Sequence, residues 1–535
     1  MQSEHLTGTR PPNVPSVTST FHRRLQLSLK LTPSETRVWT GGKEKGTLLL
    51  SLVHWCFLRE EAKLRCRSGE FESLAVAQLA IAREFGFRTW PRLKLHVDGL
   101  TLDVAERAAL LLRSATSADL RGAQAMLAAD PEVARYDLAC ACACGEVEYV
   151  TQILEADPAR ADAPTGLYQW PPILYACFSR LLRGDRQRSG QIREVVWRLL
   201  VAGADPNAYF IKDDWLQVAL YGAAGIAGDS ELTRMLLEAG AEPTDDREGY
   251  HGNEVLYHAC EFPDPTCARL VIEAGARKDF VSRALGRALN FPNHEMIEMF
   301  CAHGAKPTAD HLRQAVWRRR PPRTIITLID AGAPINEPDE NGLTALRIAV
   351  CWGETTIAQI LRNNGADETI VSDQERALGR YLSGERVAFS VDRSLADKLL
   401  MLSIETGHLE PMRRLLDAGA IIDGDPESDQ VPLGNACWRG RVQAVRELVE
   451  RGAALEFPDG GSAIAATLHG ARHCHDPEGG PSMRTTDEVP KTPYAEILRI
   501  LMAAGAVVPD RVGDGRQRTT MLLAELGIDR AYATS

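Results

Sequence analysis

The 535-residue sequence contains no apolar stretch long enough to cross a bilayer. Its one apolar run, GTLLLSLVHWCFL at 46–58, falls short of the roughly 20 residues a spanning helix requires. That run also stands too far in for a secretory leader, and residues 1–20 have no apolar core, so no membrane role is expected. Cysteine is thin, twelve residues in all, which excludes a disulfide framework and points to a reducing, cytoplasmic setting. Positive charge is scarce beyond the start. Residues 1–100 hold 15 Lys and Arg against 9 Asp and Glu, whereas residues 101–535 hold 46 against 63. An acidic body argues against a nucleic-acid binder and for a neutral or basic partner. Catalytic signatures are missing too: no Gly-x-Gly-x-x-Gly after a strand, no Walker-type phosphate loop, no Gly-x-Ser-x-Gly elbow. No enzymatic activity and no cofactor are expected.

What the chain does have is a phrase that returns. LLVAGADPN (199–207) is followed by LLEAGAEP (236–243), VIEAGARKD (271–279), FCAHGAKP (300–307) and LIDAGAPIN (328–336). LRNNGADE (361–368), LLDAGAIID (415–423), LVERGAALE (448–456) and LMAAGAVV (501–508) complete the series. The phrase glycines are 203, 240, 275, 304, 332, 365, 419, 452 and 505, and six of the eight spacings lie between 28 and 37. The other two, 54 and 53, equal one period plus about twenty inserted residues.

Residues 341–367, NGLTALRIAVCWGETTIAQILRNNGAD, show the mechanics of one unit. Thr344 can cap a first helix whose apolar face is Leu346, Ile348, Ala349 and Val350, and Gly353 ends it. A second helix begins near Thr355 with Ile357, Ile360 and Leu361 on one stripe and stops at Asn364-Gly365. Helices this short are unstable alone in water, so each unit must hide its stripe against a neighbour. The chain therefore resembles an ankyrin-repeat protein, whose unit is a β-turn and two antiparallel helices of about 33 residues. The family's Thr-Pro-Leu-His tetrapeptide stands here as Thr344-Ala345-Leu346-Arg347, and in part as Val431-Pro432-Leu433-Gly434 and Pro171-Pro172-Ile173-Leu174. The resemblance implies an all-α solenoid over 101–510, with insertions near 178–192, 375–395 and 474–492 and a C-terminal cap at 511–535. A helical leader is expected at 71–100, on Arg83, Glu84, Gly86, Phe87, Trp90, Pro91, Leu93 and Lys94. Residues 1–70 match no pattern and are expected to be largely disordered.

The period also accounts for the cysteines in DLACACACGEVEYV (137–150). After each Leu-x-x-Ala or Ile-x-x-Ala of a first helix comes Cys142, Cys177, Cys260 or Cys437, at a position wanting a small apolar side chain. Cys142 is read as core rather than as a ligand, and no Cys-x-x-Cys follows at zinc spacing. The rival chemistry lies in LHGARHCHD (468–476), where His469 and His473 stand four apart with His475 beside them. That set is the alternative reading, a metal-binding module or metal-dependent hydrolase, although it lacks the His-Glu-x-x-His order. The basic run WRRRPPR (317–323) is read as a solvated helix C-terminus.

The resemblance implies protein recognition on a concave face of loops and first helices. Its loop tips are acidic with isolated aromatics, and Tyr209, Phe210, Trp215, Tyr250 and Phe457 are the candidate partner contacts. The partner's identity and the oligomeric state are not legible.

Overall fold

The structure, a computed structural model, describes residues 55–71, 74–85, 90, 93, 97, 102–116, 120–212, 214–244, 254–340, 342–387, 393–424, 431–458, 460–473, 493–508, 511–512 and 531–532. The chain divides into two units, one up to Arg107 and one from Ala108. In the first, helix Trp55–Arg67 packs on helix Leu74–Glu84 around Leu58, Ala62, Ala77, Ile81 and Ala82, with Leu93 and Val97 closing the cluster. The buried Arg65 guanidinium donates to Glu61 (3.0 Å) and Glu84 (2.6 Å), so its charge is paired where water is excluded. The first of these helices lies in the stretch to which the sequence reading assigned no structure. A hairpin partner for the expected leader explains why its apolar residues occur there.

The second unit repeats one motif. A short first helix, a tight turn and an antiparallel second helix recur as Leu138–Cys144 with Val147–Ala156, Glu254–Ala259 with Thr266–Glu273, Lys278–Ala288 with His294–Ala302, and Ala309–Trp317 with Pro322–Asp330. Ala345–Cys351 with Thr355–Asn363, Arg393–Thr406 with Leu409–Asp417 and Pro432–Trp438 with Val442–Glu450 follow the same plan. In most of the stack, first helices pack on neighbouring first helices and second helices on second. The all-α repeat solenoid is thus the observed fold.

Local chemistry explains each unit. Thr344 accepts from the Arg347 amide at 3.3 Å and so caps its helix, while Leu346, Ile348 and Ala349 are buried. Ile357, Ala358 and Leu361 are the buried stripe of the second helix, with Ile360 at its margin. The nine phrase glycines all have φ between 87° and 103°, and a Cβ on any of them would meet nothing within 4 Å. Backbone conformation, then, and not crowding, demands glycine there. The next amide closes the turn, Ala366 donating to Leu361 O at 3.0 Å.

Two polar devices join successive repeats. Four residues after a phrase glycine, a side chain accepts from the next repeat's backbone: Asn207 from Glu242 N–H (2.8 Å), Thr244 from Arg277 N–H (3.1 Å), Asn336 from Asp367 N–H (2.9 Å) and Asp423 from Ala454 N–H (2.8 Å). On the turn side, arginines donate to carbonyls at first-helix ends of the preceding repeat. Arg188 reaches Cys144 O (2.6 Å), Arg320 reaches Leu289 O (2.9 Å) and Asn290 O (3.0 Å), and Arg441 reaches Glu405 O (2.6 Å). This corrects the reading of WRRRPPR as a solvated terminus. Arg318 pairs with Glu405 at 3.0 Å and Arg319 with Glu354, so the run ties repeats together.

The insertions have particular forms. Near 178–192, a single turn, Arg180–Arg183, leads into a long second helix, Arg186–Val201. The excess between Gly365 and Gly419 includes an extra helix, Asp373–Leu382, started by a Ser372–Glu375 capping box and laid on Ala345–Cys351. Residues 474–492 and most of 511–535 lie outside the described residues.

Candidate functional site

The longest described loop excursion follows Gly203. Tyr209–Lys212 (β1) pairs antiparallel with Trp215–Val218 (β2), with Tyr209 opposite Val218, Phe210 opposite Gln217, Ile211 opposite Leu216 and Lys212 opposite Trp215. Only two residues join the strands, and Asp214 has φ 65°, as such a tight hairpin requires. Cross-strand partners share a face, so Phe210 and Trp215 lie on one side and Tyr209, Ile211, Leu216 and Val218 on the other. The finger's base is locked. Leu216 and Val218 are buried, and Phe210 stacks on Trp170 with centroids 4.0 Å apart.

Trp170 is itself held by the loop beneath. Thr165 and Trp170 form an isolated bridge, and the Tyr175 hydroxyl donates to Thr165 O (2.9 Å) while accepting from Tyr168 N–H (2.8 Å). Burial pushes the Tyr175 phenol up to about 12, so it keeps the proton it donates at neutral pH. From there a line of rings crosses successive repeats. Phe178 meets Phe210 edge-on at 5.1 Å and Tyr221 at 5.8 Å, and Tyr221 lies 5.4 Å from His258. Aromatic pairs of this kind contribute about 0.5–1.5 kcal/mol each beyond the area they bury.

The candidate contacts therefore separate. Tyr209 is 40% exposed and Trp215 42%, joined by Ile211 at 38%, whereas Phe210 turns inward against Trp170. Phe457 is half-buried in a different loop, its ring 3.0 Å from where a Cβ on Gly434 would sit. Tyr250 lies outside the described residues. The sequence reading passed over Leu167, Tyr168 and Trp170, because their repeat precedes the first Gly-Ala phrase. The signal was the clustered aromatics of TGLYQWPPILY itself.

Of the histidine set, His469 is exposed on helix Ala463–His473, which places His473 one turn further along, and His475 lies outside the described residues. Among the described residues, no group of three or more His, Cys, Asp or Glu is placed to hold a metal. Cys142, Cys177, Cys260 and Cys437 are all buried in the stack, and only Val350, their counterpart in the 344–351 helix, is half-buried. Among the described residues no helix is long and apolar enough to cross a membrane.

Stacked two-helix units joined through glycine turns define a helical repeat protein. In this architecture the chain is similar to ankyrin-repeat proteins. The human ankyrin repeat and SOCS box protein 16 is 26% identical to it over 310 residues, 56% of this chain and 59% of that protein. The chain thus spans under two thirds of that relative's length. No family model matches the sequence. Among solved structures, the ankyrin repeat domain of Bcl-3 is 24% identical, covering 34% of this chain and 84% of that one at a TM-score of 0.29. The human ASB11 ankyrin repeat domain is 20% identical, covering 45% and 96% at a TM-score of 0.21, and scores this low carry no argument.

Proposed function

We propose that the array is a non-enzymatic protein-recognition module that takes a neutral or basic partner on its loop and first-helix side. The observation that supports this is the 209–218 finger, where Tyr209 and Trp215 stand exposed on a base held by Phe210 and Leu216. Aromatics presented on a rigid base lose little freedom when a partner covers them, and Tyr and Trp dominate binding hot spots. Asp162, Asp205, Asp214 and Glu242 of these loops are exposed, with Lys212 the one exposed base on the strands. Half-buried Phe457 is a further candidate contact, in another loop of the array.

The test uses the full chain immobilised in a native lysate, with any retained protein purified and titrated against variants. Tyr209→Ala and Trp215→Ala are each expected to weaken that partner by about 1–2 kcal/mol, roughly tenfold. Phe210→Ala should act through the hairpin's stability as well. A partner held equally by wild type and the double Tyr209→Ala/Trp215→Ala variant would remove the finger from the binding face.

A further inference from the structure

Glycine inside a helix is unfavourable beside alanine, so its place there calls for a reason. At Gly222, Gly379 and Gly470 the reason is packing: a Cβ would come 2.8 Å from Cys177 O, 1.9 Å from Val350 O and 2.1 Å from Trp438 O. Gly190, in helix Arg186–Val201, has open space where its Cβ would be, and its φ is not left-handed. Nothing among the described residues demands glycine there. Gly190 lines an open groove of about 450 Å³ between this helix and Ser230–Glu238, together with Trp197 and Met235. Buried Ile192, Val195, Val196 and Leu199 turn one side of the helix to the core. Gly190, Glu194, Trp197 and Val201 follow one another on the outer side at spacings of four, three and four. Trp197 is 42% exposed and Val201 67%.

We infer that this stripe is a self-association surface, on which Arg186–Val201 packs antiparallel against the same helix of a second copy about a two-fold axis. Alternating spacings of four and three are those at which two helices interlock their side chains, and glycine is where two backbones come close. Laid on itself, the stripe sets Gly190 opposite Val201 of the second copy and Glu194 opposite Trp197 of the second copy. Neither tryptophan then meets its own counterpart, and each valine faces the space over a glycine. A two-fold contact needs knob and recess on one face, and Trp197 stands beside the groove that Gly190 lines. Charge favours a second copy over a charged partner. Arg193 pairs with Asp229 at 2.9 Å and with Glu231, and Arg198 pairs with Glu194 at 2.8 Å, so the ionic groups along the groove are matched. Residues 101–535 hold 46 Lys and Arg against 63 Asp and Glu, and on such an acidic body a matched face lets two copies meet without opposing like charge. The surface lies on the second-helix side and goes beyond the recognition reading, which uses the loops and first helices.

The experiment follows the full chain by sedimentation velocity across micromolar concentrations, beside Trp197→Ala, Val201→Glu and Gly190→Ala. The wild type is expected to pass from monomer to dimer as concentration rises. Trp197→Ala and Val201→Glu should each weaken the dimer about thirtyfold, the first by removing a central anchor and the second by burying an unpaired carboxylate. Gly190→Ala should weaken it about tenfold by holding the two helices apart. At a dilution where the chain is monomeric, hydrogen exchange should show helix 186–201 of Gly190→Ala no less protected than in the wild type. A weaker dimer with an intact helix separates close approach from damage to the fold. A wild type that stays monomeric throughout, a dimer indifferent to all three substitutions, or a dimer tightened by Gly190→Ala overturns the inference. A monomeric chain that instead retains a displayed helical peptide through Trp197 assigns the groove to another protein and overturns self-association as well.

Discussion

Two glycines inside helices make opposite forecasts for the same substitution. Gly190 lies within Arg186–Val201, and a Cβ there would meet nothing within 4 Å. Gly379 lies within Asp373–Leu382, and a Cβ there would come 1.9 Å from Val350 O, where ordinary contact begins at 3.4 Å. The local backbone gain of Gly→Ala in a helix is about 0.5–1 kcal/mol at either site. At Gly190 nothing opposes it, so Gly190→Ala should stabilise by about that amount. At Gly379 the neighbour is main chain in the adjoining helix, which cannot swing aside. Helices Asp373–Leu382 and Ala345–Cys351 would have to part by the 1.5 Å between those two distances. Overpacking of this kind costs about 1–3 kcal/mol, so Gly379→Ala should be destabilising on balance. A long array does not unfold in one step, so hydrogen exchange read peptide by peptide is the right assay. Gly379→Ala should raise exchange over 345–382, and Gly190→Ala should lower it over 186–201. Equal slowing in both variants would refute the close helix crossing, and with it the packing of the extra helix into the stack.

Two more outcomes follow from the interior. Burial first, then Arg319, Arg441 and Arg320, holds His408 down to about 4, whereas an unfolded histidine titrates near 6.5. Between those values the unfolded chain binds the extra proton, so stability should fall as pH drops from about 6.5 to 4 and be recovered above it. His408→Leu should flatten that limb of a urea-midpoint profile; an unchanged slope would show that His408 does not contribute it. Burial also raises the thiols, well above the usual range for Cys142 and to about 12 for Cys437. Of the described cysteines, a thiol reagent at pH 8 should modify the half-buried Cys66 and Cys301 first and reach Cys142 and Cys437 only after denaturation, as peptide mapping would record. Early labelling of Cys142 would contradict its place between stacked helices.

Much of the fold was legible because it is written in local terms. A positive φ selects glycine whatever surrounds it, which is why the Gly-Ala phrase marks a turn at each of its nine positions from 203 to 505. The Thr344 cap and the Ile357–Leu361 stripe need only a residue's own helix, and they too appear where the pattern put them. The candidate site was legible only as a loop with aromatics in it. Phe210 and Trp215 look alike in DPNAYFIKDDW, yet one stacks on Trp170 and the other stands out to solvent.

By itself, then, the sequence determined the repeat, its period, its turns and the small buried cysteines, since each depends on backbone conformation or on a helix's own periodicity. Which aromatic faces inward and which arginine reaches the preceding repeat were decided by tertiary structure. Those contacts join residues some thirty to forty positions apart, as Arg320 with Leu289 or Phe210 with Trp170. They exist only once one hairpin has been laid against the next at a particular offset.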